Sequence, residues 1–573
     1  MISVRKEMMI PTKIEPGYRV QLFHGMPTPG HPHGREVPQD PVSIGVIAIT
    51  AFEALTATAI GFEAASLVGS VILGGALLAG SYALNALTAP ELPETNERSA
   101  AINSPEVRGT IRMAAAPQRI IYGRMLVGGV WSFYDDATPP YQYVQLMLCR
   151  GRISRVRSVM INRNLVFFSG GTPFNTIVQP IAIDGQDYVG NLDVCFRQGL
   201  PGQSIDPLLS AYFPVHSTTP DEIVFDEEGN VTNLPASFRQ QSIATATFRA
   251  KFGDTREEFE KRWGQVAFIN PMIEVDGRPI FDPRDPSQDI NDENTWKFTY
   301  NGKDVGRNPS LQQCDWIRHP FGGKLRVDQI RIDELIQAAD FDDDIVVDKQ
   351  GNPRVRHQSD GVVQLSDNPK GVTEALLTAS RAWLVQSRGR VGWVPAIPRD
   401  PIVTLTERDI LGGFDFQFGI AKMSAYNRVR TRFPAQVKDY TEDDGPVLDR
   451  PDLRTTQDGG ELLETTVRTP FTTDARAVQW LSAQFLEEAR LERSLEIPNI
   501  SIRPQFLKCK IGDIVRIQHS RYPEINGIYQ IMKDGYSNDF STLMWALREY
   551  DKTIGSKDRS ADEKEFEVVE EAA

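Results

Sequence analysis

Cysteine is scarce in this chain. Cys149, Cys195, Cys314 and Cys509 are the only four in 573 residues, and none belongs to a C-x-x-C pair. A disulfide framework is excluded, and four reduced core thiols are expected, as in a protein made in a reducing cytosol. A thiolate cluster would require the fold to gather four distant positions. Catalytic signatures are also missing: there is no G-x-S-x-G, no H-E-x-x-H, no G-x-x-x-x-G-K-[ST] and no strand-borne G-x-G-x-x-G. No cofactor, no metal and no enzymatic activity are expected. Positive charge is in deficit, with 62 Lys and Arg against 76 Asp and Glu and a net charge of −14. Such a balance repels phosphates and opposes tight non-specific DNA binding, but suits a surface that DNA slides past. The opening MISVRKEMMIPTKIEPGYRV lacks an apolar run followed by a small-residue cleavage site, so no secretory route is expected.

What is abundant is apolar and aromatic side chain. Hydrophobic residues make up 40% of the chain, with 28 Phe, 15 Tyr and 8 Trp, enough for several cores in roughly three or four domains. One stretch stands apart. Between Pro41 and Pro90 the only charges are Glu53 and Glu63, and Ala64 to Ala89 has none. As a helix those 26 residues would span about 39 Å, more than a hydrocarbon core of about 30 Å. The flanks lack the Lys/Arg clusters that orient a membrane span. Small residues at Ser66, Ser70 and Gly74, with Gly75 and Ala79 offset by one, allow close helix packing. Three readings accommodate the stretch: an oligomeric plug, a late-inserting membrane segment, or a core helix. Its key positions are Leu67, Val71, Ile72, Gly74, Gly75, Leu77, Leu78 and Leu84. Before it, residues 1–40 are rich in Pro, Gly and His and read as an extended arm; His31 and His33 lack metal-ligand company.

Beyond a polar linker the texture changes. Gln118 to Asp135, Tyr141 to Phe168 and Gln241 to Gly253 alternate apolar and polar residues, the pattern of half-buried antiparallel strands. Asp276-Gly277, Asn526-Gly527 and Asp534-Gly535 read as turns, the first as a type I′ hairpin. The polar stretch after Pro283 reads as a surface loop. Amphipathic helices are expected over Arg326 to Phe341, Gly371 to Gln386 and Thr473 to Leu495, the last capped by Asp474. The acidic end, SKDRSADEKEFEVVEEAA, is expected to fray.

Candidate chemical groups have bland counterparts. Asp340, Asp342, Asp343, Asp344 and Asp348 imitate a calcium loop, but its sixth position holds Ile345 instead of Gly and its twelfth Gly351 instead of Glu; a solvated helix end is expected. Asp135/Asp136, Asp226/Glu227/Glu228 and Glu487/Glu488 supply paired carboxylates, common by chance among 76 acids. His319 and His519 show no nucleophile partner and read as packing or surface residues.

Several fragments in order nevertheless resemble one family. They are APQRIIYGRMLVGGVWSFYD, LMLCRGRISRVRSVMINRNLV, FRQQSIATATFRAKFG, NPMIEVDGRPIFDP, NPSLQQCDWIRHPFGGKL with DELIQAADF, GDIVRIQHSRY, and ALREYD. Together they look like the tail tip attachment, or central hub, proteins of lambda-like tailed phages, over about residues 115 to 551. An apolar Gly/Ala-rich stretch ahead of IIYGR also resembles members from siphophages, prophages and gene-transfer particles.

The resemblance implies an α+β, mainly β fold: β-barrel-like tail hub domains with inserted α/β domains, preceded by a hydrophobic helical segment. The implied layout is an arm at 1–40, a plug or membrane-active segment at 41–90 and a linker at 91–115. Hub β domains with insertions follow at 116–330, an α/β insertion at 331–400, a second hub β domain at 401–553 with a helix at 474–494, and a flexible tail at 554–573. It implies a structural virion protein at the distal tail tip, made in the host cytoplasm: a homotrimer that closes the tail tube, organises fibres and gates genome ejection. Implied partners are the distal tail ring, the tape measure protein, tail fibres and, transiently, the host membrane, with DNA passing but not specifically bound. The chain runs about twenty residues past ALREYD, without the C-terminal receptor-binding regions of longer relatives, so a separate fibre protein is expected to recognise the receptor. Two alternatives from other classes stand beside this: a tail-associated hydrolase acting on the cell envelope, and a membrane-pore-forming ejection protein.

Overall fold

The computed structural model of the chain describes residues 117–566, apart from 136–139, 163, 169–170, 182–187, 217–222, 226–230, 252, 254, 264–268, 388, 420–424 and 538–539. The apolar stretch and its eight key positions, the arm and the linker lie outside the described residues. The described part is mainly β with some helices. Among the described residues, no helix is long and apolar enough to cross a membrane.

Two sheets enclose the first core. One runs in the order Val130–Asp135, Tyr141–Arg150, Ile243–Lys251, Leu192–Arg197, Ile177–Val178; the other in the order Arg124–Val127, Pro271–Asp276, Arg155–Ile161, Asn164–Val166. Both orders are open paths. The expected alternation explains the packing, because Val144, Leu146 and Leu148 of one sheet and Val156, Val159 and Ile161 of the other turn inward to a shared cluster.

The short strand Arg119–Tyr122 pairs antiparallel with Gly361–Gln364 and lies between two cores. Ile121 and Val362 face the first, whereas Ile120, Tyr122 and Val363 face the second. A period of two therefore serves both sides at once, and all four residues of RIIY are buried.

The second core is helical. Pro309–Arg318, Ile332–Asp342 and Pro369–Thr378 surround Trp316, Leu335, Leu376 and Trp393. The first of these helices was not expected. It starts on an Asn308 side-chain cap with Pro309 behind it, and nearly all its residues are buried, so it has no polar face to mark it in sequence. The second begins six residues later than expected: the Arg331 N–H is bonded to the Val391 carbonyl and Ile330 bridges Val391, which holds this backbone extended. The third ends at Thr378 instead of Gln386. Arg381 adopts φ 52°, and Trp383–Ser387 then pairs as a strand with Arg390–Val394.

The third core lies on a six-stranded sheet ordered Val403–Thr406, Ile514–Gln518, Gly527–Tyr536, Thr542–Glu549, Arg493–Ser501, Asp415–Phe418. The helix Ala475–Ala489 starts as expected, with Asp474 accepting the Arg476 N–H at 3.0 Å, but it ends at Ala489 instead of Leu495, because Arg493–Ser501 joins the sheet as a strand. It packs Val478, Phe485 and Leu486 against a further sheet built on Arg428–Ala435.

Two expected turns are corrected. Asp276-Gly277 makes no hairpin: its strand sits between two neighbours, and the chain continues beside Gly123 and Ile121 toward Ile280 in the second core. Gly277 is demanded by proximity, since a Cβ there would lie 2.3 Å from the Ile121 carbonyl oxygen. Asp534-Gly535 lies within the strand Gly527–Tyr536, whose register shifts between Ile531 and Lys533. The acidic end is also packed as far as Phe566. Glu563 accepts from Lys349 N and Trp480 Nε1, and the Phe566 ring lies 5.4 Å from that of Phe433. Apolar Phe566 and Ile554 anchor a segment that its charge marked as frayed.

Candidate functional site

Buried charges gather where the first and second cores meet. After the strand Arg119–Tyr122 the chain turns at Gly123, where φ is 65° and a Cβ would lie 2.2 Å from the Ser359 carbonyl oxygen, so a side chain is excluded. The turn delivers the Arg124 N–H to Asp360 Oδ1 at 2.8 Å. Asp360 is fully buried and accepts three further bonds: Arg307 Nε at 2.7 Å, Arg307 Nη2 at 2.6 Å and Thr473 Oγ1 at 2.7 Å. Its bidentate partner matches the carboxylate geometry, the arrangement in which a buried pair repays its desolvation. Burial works against the Arg307 charge, but Asp360 more than offsets it and holds the guanidinium above its ordinary pKa.

Asp276 extends the network, and Asp315 centres a second group beside it. Asp276 receives Arg124 Nε at 3.0 Å and Arg157 Nε at 2.7 Å, and Arg124 also reaches Asp304 at 3.0 Å. Asp315 receives the Tyr122 hydroxyl at 2.6 Å and Arg278 Nε at 3.1 Å, while Arg278 Nη2 meets Glu293 at 2.9 Å. Burial, with Asp315 beside it, pushes the Tyr122 phenol well up. The phenol is thus held as a hydrogen-bond donor.

The aspartate cluster that imitates a calcium loop has buried bonds of its own, and for three members the expectation of a solvated helix end is overturned. Asp342, Asp343 and Asp348 are buried. Asp342 accepts Ser310 Oγ at 2.5 Å and contacts His357 Nδ1 at 2.8 Å; Asp343 accepts from Asn308 and Arg284; Asp348 pairs with Arg476 and caps its own turn. Among the described residues no acidic or thiol cluster has metal-holding geometry.

Ser310, Asp342 and His357 share the residue types of a hydrolytic triad but not its wiring. The serine donates to the aspartate instead of to the imidazole, and Ser310 is fully buried. A base that does not touch the hydroxyl cannot activate it. His319 accepts the Phe321 N–H and stacks on Trp316, with burial lowering its pKa; His519 Nδ1 accepts from Arg521 N and Tyr522 N. Both hold loops. Glu487 and Glu488 part company: the first pairs with Lys557 and Arg559, the second with Arg381. Asp135 is buried, whereas Asp136 and Asp226 to Glu228 lie outside the described residues. All four cysteines are free and buried, and burial pushes each thiol up to about 12.

Sequence reasoning gave none of Tyr122, Arg124, Arg278, Asp315 or Asp360 a role, and gave Asp276 only that of a turn residue. A signal existed for five of them, which fall inside the fragments IIYGR, EVDGRP and QQCDW. Asp360 and His357 carried none.

No family model matches the chain, and no curated protein matches it. Among solved structures it is similar to a chain of the virion of a native gene transfer agent particle, at 15% identity over 90% of this chain and 97% of that one, with a TM-score of 0.46. It is also similar to a tail protein from Neisseria meningitidis MC58, at 11% identity over 77% of this chain and 99% of that one, TM-score 0.29. A third is the 43 kDa tail protein of prophage MuSo2 from Shewanella oneidensis, at 11% identity over 77% and 95%, TM-score 0.27.

Proposed function

We propose that this chain is a structural virion protein of a tailed phage or related particle: a trimeric central hub with barrel-like β domains, at the distal end of the tail tube. In this reading it organises fibre attachment and gates genome ejection. The observation that carries the reading is the convergence of separate resembling fragments on two neighbouring groups of bonded charges. Arg124 of the first fragment bonds Asp276 of the fourth, and Tyr122 of the first and Arg278 of the fourth both bond Asp315 of the fifth, across up to 193 residues of chain.

The network is suited to holding layers together under load, because each buried charge is tied by two or more directed bonds. The net charge of −14 suits a wall past which DNA moves. The apolar residues Leu67 to Leu84 would then stay dry by meeting their copies on a threefold axis, and opening would release them toward the host envelope.

Light scattering on the purified full-length chain tests this. The expected mass is three times 64.1 kDa, dissociating or aggregating when residues 41–90 are removed. Immunogold labelling of particles should mark one tip per tail. A monodisperse monomer, or label along the tail shaft, overturns the reading.

A further inference from the structure

A second group of charges lies where the second core, the long helix and the six-stranded sheet approach one another. A cleft of about 60 Å³ there is lined by Arg381, Arg399, Gln484, Glu488, Arg548 and Tyr550, among others. It falls far short of the roughly 300–1,000 Å³ of a substrate pocket, but it accommodates a few waters or one small oxyanion.

Its charges are unequally satisfied. The carboxylates are engaged: Glu488 with Arg381 and Gln484, Glu549 with the N–H groups of Glu492 and Arg493, and Asp551 with Thr553 at the start of a short helix. The cations are satisfied only in part: Arg381 pairs with Glu488, but Arg381 and Arg548 each keep an unpartnered Nε. Arg548 is only 4% exposed, yet among the described residues it donates once, from Nη2 to the Glu488 carbonyl at 2.6 Å. Its Nε is buried without a partner and no described carboxylate pairs with it. Arg381 also buries an unpartnered Nε, and it reaches the cleft from a backbone held at φ 52°, a conformation that costs a non-glycine residue free energy. The Arg399 guanidinium makes no hydrogen bond among the described residues; only its backbone N–H is used, toward Tyr550.

A buried guanidinium whose Nε finds no partner is costly unless something supplies an acceptor and negative charge close by. Water supplies only the first. Burial accordingly drags the Arg548 pKa down to about 10. We propose that this cleft binds a phosphate-sized oxyanion, held by Arg548 at its floor with Arg381 and Arg399 beside it, and that the bound anion ties the three layers together.

Thermal unfolding and equilibrium dialysis of the full-length chain with inorganic phosphate, at ionic strength held constant with sodium chloride, test this. The expected result is saturable uptake of one phosphate per chain and a melting temperature that climbs with phosphate concentration. Arg548→Met should abolish both, and Arg399→Gln, at a half-exposed position, should weaken binding about tenfold while leaving the phosphate-free melt unchanged. Acetate at the same concentration should bind much more weakly; equal stabilisation by acetate overturns the assignment to phosphate. Absence of saturable uptake overturns the site, as does uptake unchanged in Arg399→Gln and, where it folds, in Arg548→Met.

Discussion

Asp360 and Arg548 are both buried charges at a meeting of layers, and they are treated in opposite ways. Asp360 accepts four hydrogen bonds from three separate segments, while Arg548 donates one. The contrast teaches that burial alone does not identify a site. A charge whose bonds are all made by its own chain is part of the architecture; a charge left short of partners in a cleft points to something outside the chain.

The comparison can be broken at several points. The largest effect is expected at the saturated end. Asp360→Asn removes the negative charge facing Arg307 and leaves that guanidinium buried and unpaired, which should cost about 3–5 kcal/mol in denaturant unfolding. A loss under about 1 kcal/mol would mean that the network does not bear on stability. Tyr122→Phe removes one donor from Asp315 but leaves Arg278 in place, and a loss of about 1–3 kcal/mol is expected by the same measurement.

At the unsaturated end the expectation reverses. In phosphate-free buffer Arg548→Met should change stability by no more than about 1 kcal/mol, in either direction, since it exchanges an unpaired buried charge for apolar contact. A loss matching that of Asp360→Asn would place both residues in one class and dissolve the contrast.

The smallest effect concerns pH. Burial by itself raises the Glu487 pKa, but bonds from Arg559 and Lys557 outweigh it and hold the group below its ordinary value. A carboxyl depressed in the folded state adds stability above its unfolded pKa of about 4.3 and loses it as pH falls through the folded value. Unfolding midpoints of wild type and Glu487→Gln should therefore differ by well under about 1 kcal/mol at pH 7 and converge toward pH 3, this pair being partly solvated. A gap that widens on acidification would contradict the assigned sign.

Legibility in the sequence followed how local each physical cause was. The strands Tyr141–Arg150 and Ile243–Lys251 announced themselves because each has a side facing the core and a side facing elsewhere, and the long helix because Asp474 caps an amphipathic run. The helix Pro309–Arg318 escaped notice because a fully buried helix has no periodic contrast. The helix expected to reach Gln386 was cut short by the turn at Arg381 and by strand partners that periodicity does not report. Asp342 looked like a solvated helix end because its partners, Ser310 and His357, lie 32 and 15 residues away.

By itself the sequence determined the class of structure: mostly strands, free thiols kept in cores, a net negative charge, and fragments whose order resembles one family. Composition and short-range periodicity are properties of neighbouring residues, so they survive without coordinates. Only the tertiary structure decided which charges are spent and which are left over. Asp360 and Arg548 are each one letter among many acids and bases, and what separates them is the number of partners brought within 3 Å by distant segments: four donors from 53 to 236 residues away for Asp360, a single carbonyl for Arg548.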